Sequence, residues 1–254
     1  MKIVGYNLYA RDFIPPIINK LINLSKKKSN SDSVRPYPFD SIPLEIDASW
    51  VLDIGANLGY VAKNALINWP KAKVICFEPV ASTFQILTDN LRDYSDRVIL
   101  YNKALSDVNG TGQINITTQH GANSIEQQSA FHKYFNPHVR EVKKETIELI
   151  RLDDIAEKFP AEFIDILKID VEGHELKVLK GGAKFISTRV DTIIIEIALQ
   201  RDNSWENQSV FEIFSLLHSF GFCLINCLDL YHANNSNLML TQMDCVFRHK
   251  SKLQ

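Results

Sequence analysis

The chain predicts a doubly wound α/β fold, in which a mainly parallel sheet is covered by helices on both faces. Three observations lead there. From Trp50 onward, strand-like apolar runs alternate with segments of helical period. Those runs are nearly continuous in Val, Ile and Leu, as strands buried on both faces are. The first run also ends in a glycine turn that opens a helix, and right-handed crossovers then complete the winding.

The elements follow in order. SWVLDIG is the first strand, and Val61, Ala62, Ala65, Leu66 and Trp69 form one face of the helix after it. KVICFEP is the second strand, followed by a helix with Val80, Phe84, Leu87 and Leu91 on one face. RVILYNKAL reads as a single third strand, FIDILKID as the fourth and DTIIIEIA as the fifth. A helix around Val210–Phe220 leads to GFCLINCL, and MDCVFRH is the last strand.

One stretch breaks the alternation. Between Gly110 and Leu152, QINIT and TIELIRL flank a polar loop carrying His120, His132 and His138 beside Phe131, Tyr134 and Phe135. A long loop inside a compact domain is usually functional. This insertion, about residues 111–150, is read as an acceptor-binding element over the carboxyl ends of the strands, with His120, Asn123 and Ser124 as its substrate-facing residues.

Residues 1–47 form a separate arm and 48–254 the main domain. Ile14, Ile17, Ile18, Leu21 and Ile22 recur at helical spacing in the arm, where Pro15 and Pro16 fit only a first turn. Seven basic residues against Asp12 and Asp32 give Met1–Tyr37 a local charge of +5. A lid, a homodimer arm or a foot on an acidic membrane would use such a segment. Packing against the main domain is the favoured reading, and the lysines at 26–28 are read as solvated.

Composition excludes several classes. With 45% hydrophobic and 23% charged residues, the 254-residue chain is neither disordered nor fibrous. A net charge of −2 supplies no field to hold nucleic acid. Four scattered cysteines make no disulfide framework; Cys223 and Cys227 read as small buried residues of a strand. The start MKIVGYNLYARDF lacks the apolar core of a signal peptide, and DTIIIEIAL is short and broken by Glu196. A reducing cytoplasmic setting is expected.

The chemistry concentrates in three segments. In VLDIGANLGY a strand ends at Asp53 and turns through Gly55, Ala56, Asn57 and Gly59, bringing bare amides and a helix N-terminus to a ligand. A dinucleotide fingerprint needs glycine where Asn57 stands, so a nicotinamide oxidoreductase is disfavoured. Asp53 would repel a pyrophosphate and suits a cationic amine or sulfonium. Glu78, ending the neighbouring strand in VICFEPV, can accept both hydroxyls of a ribose. In LKIDVEGHE a buried Lys168 needs a partner, expected to be Asp53 or Glu196 on the flanking strands. Asp170, Glu172 and Glu175 form an acidic cluster at the sheet edge, and His174 reads as a solvent-edge side chain.

Taken with NKALSD at 102–107, RLDDI at 151–155, LKIDVEGHELKVLKGG at 167–182 and TIIIEI at 192–197, these segments resemble the FkbM family of S-adenosylmethionine-dependent methyltransferases. The resemblance covers roughly residues 48–200. It implies a seven-stranded class I methyltransferase sheet, Rossmann-like, with its last strand antiparallel. It implies methyl transfer to a hydroxyl, often of a sugar, glycan or secondary metabolite. Residue by residue, it implies Asp53, Gly55, Ala56, Asn57 and Gly59 around the methionine part of the cofactor and Glu78 on its ribose. Ala104 and Leu105 would then lie near the adenine, and Asp170 near the amine and the acceptor.

An alcohol oxygen needs a base during attack. The candidates are Asp170, Glu172, Glu175, His174 and His120, with Asp170 or Glu175 favoured. No further ligand accompanies the acids, so no metal is expected. A silent binding module on the same fold would be marked by loss of Glu78 or of the acids, and both are present.

Overall fold

The computed structural model describes residues 46–118, 120–126, 139–199, 208–232 and 240–253. The N-terminal arm, with its expected helix, lies outside them apart from its last residues. Seven strands form the main sheet: β1 (Trp50–Ile54), β2 (Lys73–Phe77), β3 (Val98–Tyr101), β7 (Ile164–Ile169), β8 (Val190–Ala198), β9 (Phe222–His232) and β10 (Leu240–His249). Their spatial order is β3-β2-β1-β7-β8-β10-β9. β10 runs antiparallel to both β8 and β9, and the other ladders are parallel.

The helices are α1 (Tyr60–Asn68), α2 (Ala81–Asn90), α3 (Leu152–Ile155), α4 (Glu175–Gly181), α5 (Ala183–Arg189) and α6 (Gln208–Ser219). The period-two pleat sorts the strand residues onto two cores. Leu52, Ile54, Ile75, Leu167, Ile193 and Phe247 pack with Leu152, Val178, Ile186 and Leu217 of α3–α6. Val51, Val74, Ile166, Ile194 and Val246 pack on the other face with Ala62, Ala65 and Leu66 of α1 and Leu87 of α2. Gly59 precedes α1 as its N-cap; its φ of 85° ends the turn and its missing Cβ leaves room for Leu87.

The same alternation places one polar row. Asp53, Lys168, Glu196 and Asp244 each lie two positions from a second-core residue, so all four share that face at one end of the sheet. Asp53 pairs in register with Lys168, and Asp244 with Glu196. All four are nearly buried.

A three-stranded sheet, β4-β6-β5, carries the insertion: β4 (Ala104–Leu105), β5 (Gly110–Thr117) and β6 (Glu141–Ile150). Here the structure corrects the reading of RVILYNKAL as one strand. Asn102 Nδ2 donates to the carbonyls of Glu78 and Pro79, at 2.9 and 3.0 Å, and turns the chain out of the main sheet. Ala104 and Leu105 then pair with Leu149 and Ile150 of β6. The cysteine reading also fails. β9 ends the order of the described strands, and on it Cys227 is exposed and Cys223 half-buried.

Candidate active site

Parallel strands end on the same side, so the loops after β1, β2 and β7 converge. They line a cleft enclosing about 720 Å³, part of it open to solvent, together with residues from β4, β5 and the segment after β5.

The floor is the turn after β1. Gly55 has φ of 81°, and a Cβ there would lie 1.8 Å from the Asp170 carbonyl oxygen. The turn can therefore pass against β7 only with glycine. Asn57 adopts φ of 49°, lines the cleft and keeps a buried Oδ1 that accepts no hydrogen bond. A buried acceptor facing a cleft awaits a donor. Ala56 and Gly59 shape the turn from behind. Asp53 sits beneath it, fully buried, and burial pushes its carboxyl up to about 7 although the Lys168 charge opposes the shift.

Glu78 forms one wall. Its two oxygens accept from the backbone N–H groups of Asn57 (3.0 Å) and Val80 (2.9 Å), which fixes the carboxylate plane. Burial raises its pKa to about 7 against these two donors. Each oxygen retains a lone pair for a further donor. Ala104 and Leu105 line the cleft from β4, and Phe77 and Pro79 add to its apolar lining.

The turn after β7 supplies the acids. Asp170 and Glu172 line the cleft, whereas Glu175 does not. Glu175 Oε1 accepts from the N–H groups of Gly173 (2.7 Å) and Val171 (3.3 Å), so its carboxylate holds the turn in place. Lys168 Nζ lies 3.4 Å from Asp170 and 3.5 Å from Asp244. Its charge also acts on Asp53 and Glu196, the expected partners, and Asp244 joins them from β10. Burial, then the Asp170 and Glu172 charges, push the Glu196 carboxyl well above the usual range.

His174 corrects its reading as a solvent-edge side chain: it is 2% exposed. Its Nε2 lies 2.9 Å from Ser106 Oγ and its Nδ1 3.0 Å from Glu126 Oε1. The hydrogen bond from His174 holds the Glu126 carboxyl down at about 2, helped by Lys177. Glu126 has no local signal in the sequence, and Ser106 lies in the NKALSD segment, where the sequence reading gives it no role.

Of the insertion residues, Asn123 lines the cleft and accepts from the Thr117 N–H at 2.8 Å. Ser124 Oγ, buried, donates to the Glu172 carbonyl at 2.6 Å and braces the acidic turn from outside the cleft. His120 begins a short 3₁₀ turn whose next residue, Gly121, lines the cleft; the His120 side chain, and all of His132 and His138, lie outside the described residues.

A seven-stranded sheet with one antiparallel strand, a glycine turn after β1 and a carboxylate after β2 define a class I methyltransferase fold. Residues 53–224 match the methyltransferase FkbM domain, and the chain belongs to that family. The family implies S-adenosylmethionine as methyl donor. The hexuronic acid methyltransferase AglP of Haloferax volcanii is 30% identical over 191 residues, covering 74% of this chain and 71% of its own. The 2-O-methyltransferase NoeI of Sinorhizobium fredii is 30% identical over 145 residues, covering 54% and 58%. The crystal structure of a methyltransferase FkbM from Methylobacillus flagellatus superposes with a TM-score of 0.52 at 19% identity, over 83% of this chain; this chain spans about half of it, 48%.

The cleft fits that donor. The unpartnered Asn57 Oδ1 suits an ammonium, the Glu78 carboxylate suits paired hydroxyls, and the apolar β4 wall suits a base.

Proposed function

We propose that the chain transfers a methyl group from S-adenosylmethionine to a hydroxyl of a sugar, a glycan or a small metabolite. Bound there, S-adenosylmethionine supplies a methyl group on a cationic sulfonium and leaves as S-adenosylhomocysteine. The observation that carries the reading is the convergence of Gly55, Asn57, Glu78 and Asp170 on one cleft.

Glu78 holds the ribose, Ala104 and Leu105 flank the adenine, and Gly55 and Asn57 receive the methionine part. Asp53 works from beneath the turn, where its charge favours a cation above, and Ala56 and Gly59 keep the turn's shape. Asp170 and Glu172 stand at the acceptor end of the cleft and align the incoming hydroxyl, a proximity effect. One of these two takes its proton during attack. Glu175 acts through the backbone it holds, so the structure favours Asp170 over Glu175 as base. Asn123 lines the acceptor side, Ser124 braces it, and His120 stands in the segment above. The names of the two relatives, a hexuronic acid and a 2-O-methyltransferase, support a sugar hydroxyl. No described helix is long and apolar enough to cross a membrane, and a cytoplasmic setting fits the free cysteines.

Calorimetry with S-adenosylmethionine, S-adenosylhomocysteine and NAD⁺ tests the donor, and a methylation screen over sugars, alcohols and peptides tests the acceptor. Adenosyl binding with label in a hydroxyl is the expected result. NAD⁺ binding without adenosyl binding, or a protein nitrogen as the sole acceptor, overturns the reading.

A further inference from the structure

We infer that Asp170, Glu172 and Glu196 form a binding site for one hard divalent cation, of the Mg²⁺ or Mn²⁺ kind, at the acceptor end of the cleft. One carboxylate oxygen from each lies within 4.8 Å of the others. Oxygens on opposite sides of such an ion, at bond lengths of about 2.0–2.6 Å, stand about 4–5 Å apart, so the three fit around a single centre. An all-oxygen set selects Mg²⁺, Mn²⁺ or Ca²⁺ over softer metals.

Acidic groups at a sheet edge gather for many reasons, and Glu196 separates this cluster from those. It is 7% exposed, and no described residue donates a hydrogen bond to its carboxylate. Glu78 and Glu175, buried to a similar degree, accept backbone N–H groups, Glu78 on both oxygens and Glu175 on Oε1. A buried carboxylate without a donor is costly, and a ligand that supplies positive charge removes the cost. The Lys168 ammonium pairs with Asp170 and Asp244 and acts on Glu196 only through its charge, which offsets part of the burial cost.

Asp170 and Glu172 are half-exposed to the cleft and Glu196 sits behind them on β8, so the ion's open positions face the cleft. A hydroxyl oxygen bound there would lose its proton more easily, the proton passing to the second oxygen of Asp170 or Glu172 and on to solvent as the O–CH₃ bond forms and the S–CH₃ bond breaks. This role rests on the proposed methyl transfer to a hydroxyl; the cation site itself does not.

Mn²⁺ titration of the full-length, chelator-treated protein, read by electron paramagnetic resonance of free Mn²⁺, tests the site without turnover. One Mn²⁺ per chain is expected, displaced by Mg²⁺, with Glu196→Gln and Glu172→Gln each weakening binding at least about tenfold. Circular dichroism and S-adenosylhomocysteine calorimetry on the same samples keep the two questions apart. Adenosyl binding without Mn²⁺ binding at millimolar metal overturns the cation site and leaves the donor reading standing. Mn²⁺ binding unchanged in both folded variants overturns it too. Mn²⁺ binding without adenosyl binding keeps the site and removes the donor reading.

Discussion

His174 Nδ1 lies 3.0 Å from Glu126 Oε1, across 48 residues of sequence, and ties the insertion to the turn that carries Asp170 and Glu172. The tie is built from both sides. His174 Nε2 meets Ser106 at the end of β4, Lys177 reaches the same Glu126 oxygen at 3.0 Å, and Ser124 binds the Glu172 carbonyl. The acceptor side of the cleft thus hangs on polar contacts around one buried imidazole, in which each group satisfies another.

Breaking this tie should loosen the insertion before the main sheet. In Glu126→Gln, hydrogen exchange across 110–126 is expected to speed up while the β1 and β7 amides keep their protection. The native tie also has an acid limit. The Glu126 carboxyl is held at about 2, below its ordinary value near 4.5. Its contribution is therefore complete above the ordinary value and fades as pH falls toward 2. Uniform exchange across the chain in the variant would show that Glu126 fastens nothing.

Lys168→Met should cost about 3–5 kcal/mol, because it leaves buried acids without their cation. The penalty has a pH sign. Asp53 already titrates near 7 with the ammonium present, far above its value in the unfolded chain. The folded protein therefore binds more protons than the unfolded one between about pH 4 and 7, and its stability falls as pH rises through that window. Without the ammonium the folded value moves higher still. Urea denaturation near pH 6 and near pH 8 should show the larger loss at the higher pH, and equal losses would count against a charge role.

These residues mark where the sequence was legible and where it was not. β1, β2, β7, β8 and β10 announce themselves by apolar runs, and the Gly55–Asn57 turn and Glu78 by their place at strand ends, because those signals are local. Asp244 meets Lys168 from 76 residues away and Ser106 meets His174 from 68, and no periodicity encodes such a pairing. Read from its local pattern alone, His174 therefore falls at the solvent edge. The same holds for Gly181, where a Cβ would lie 1.9 Å from the Ser106 carbonyl oxygen. In RVILYNKAL the apolar pattern runs past Tyr101, and only the two Asn102 side-chain bonds show where the strand ends.

Two glycines separate close approach from backbone strain. Gly55 and Gly110 both have positive φ, of 81° and 141°, but a Cβ at Gly110 meets nothing within 4 Å. Gly110→Ala should cost only the conformational strain of about 1–3 kcal/mol. Gly55→Ala adds a collision with the Asp170 carbonyl, so β1 and β7 must separate, and S-adenosylhomocysteine binding should be lost. Thermal unfolding and calorimetry of both variants read the difference. Equal behaviour would mean that the tight pass under the cleft has no consequence.

Glu78 gives the cofactor site a pH dependence opposite in sign to that of the fold. Its carboxyl titrates near 7 through burial, above the ordinary value near 4.5, so ionising it lowers the stability of the ligand-free protein as pH rises through that range. Paired ribose hydroxyls require the ionised form, whose oxygens only accept. Apparent affinity scales with the fraction ionised, which rises about tenfold from about pH 6 to about pH 8. S-adenosylhomocysteine should therefore bind roughly tenfold more tightly at the higher pH while the unliganded protein melts at a lower temperature. Asp53 titrates in the same range, and Glu78→Gln separates the two. The variant should bind weakly with the pH slope largely removed, and a slope that survives unchanged assigns it to Asp53 beneath the turn.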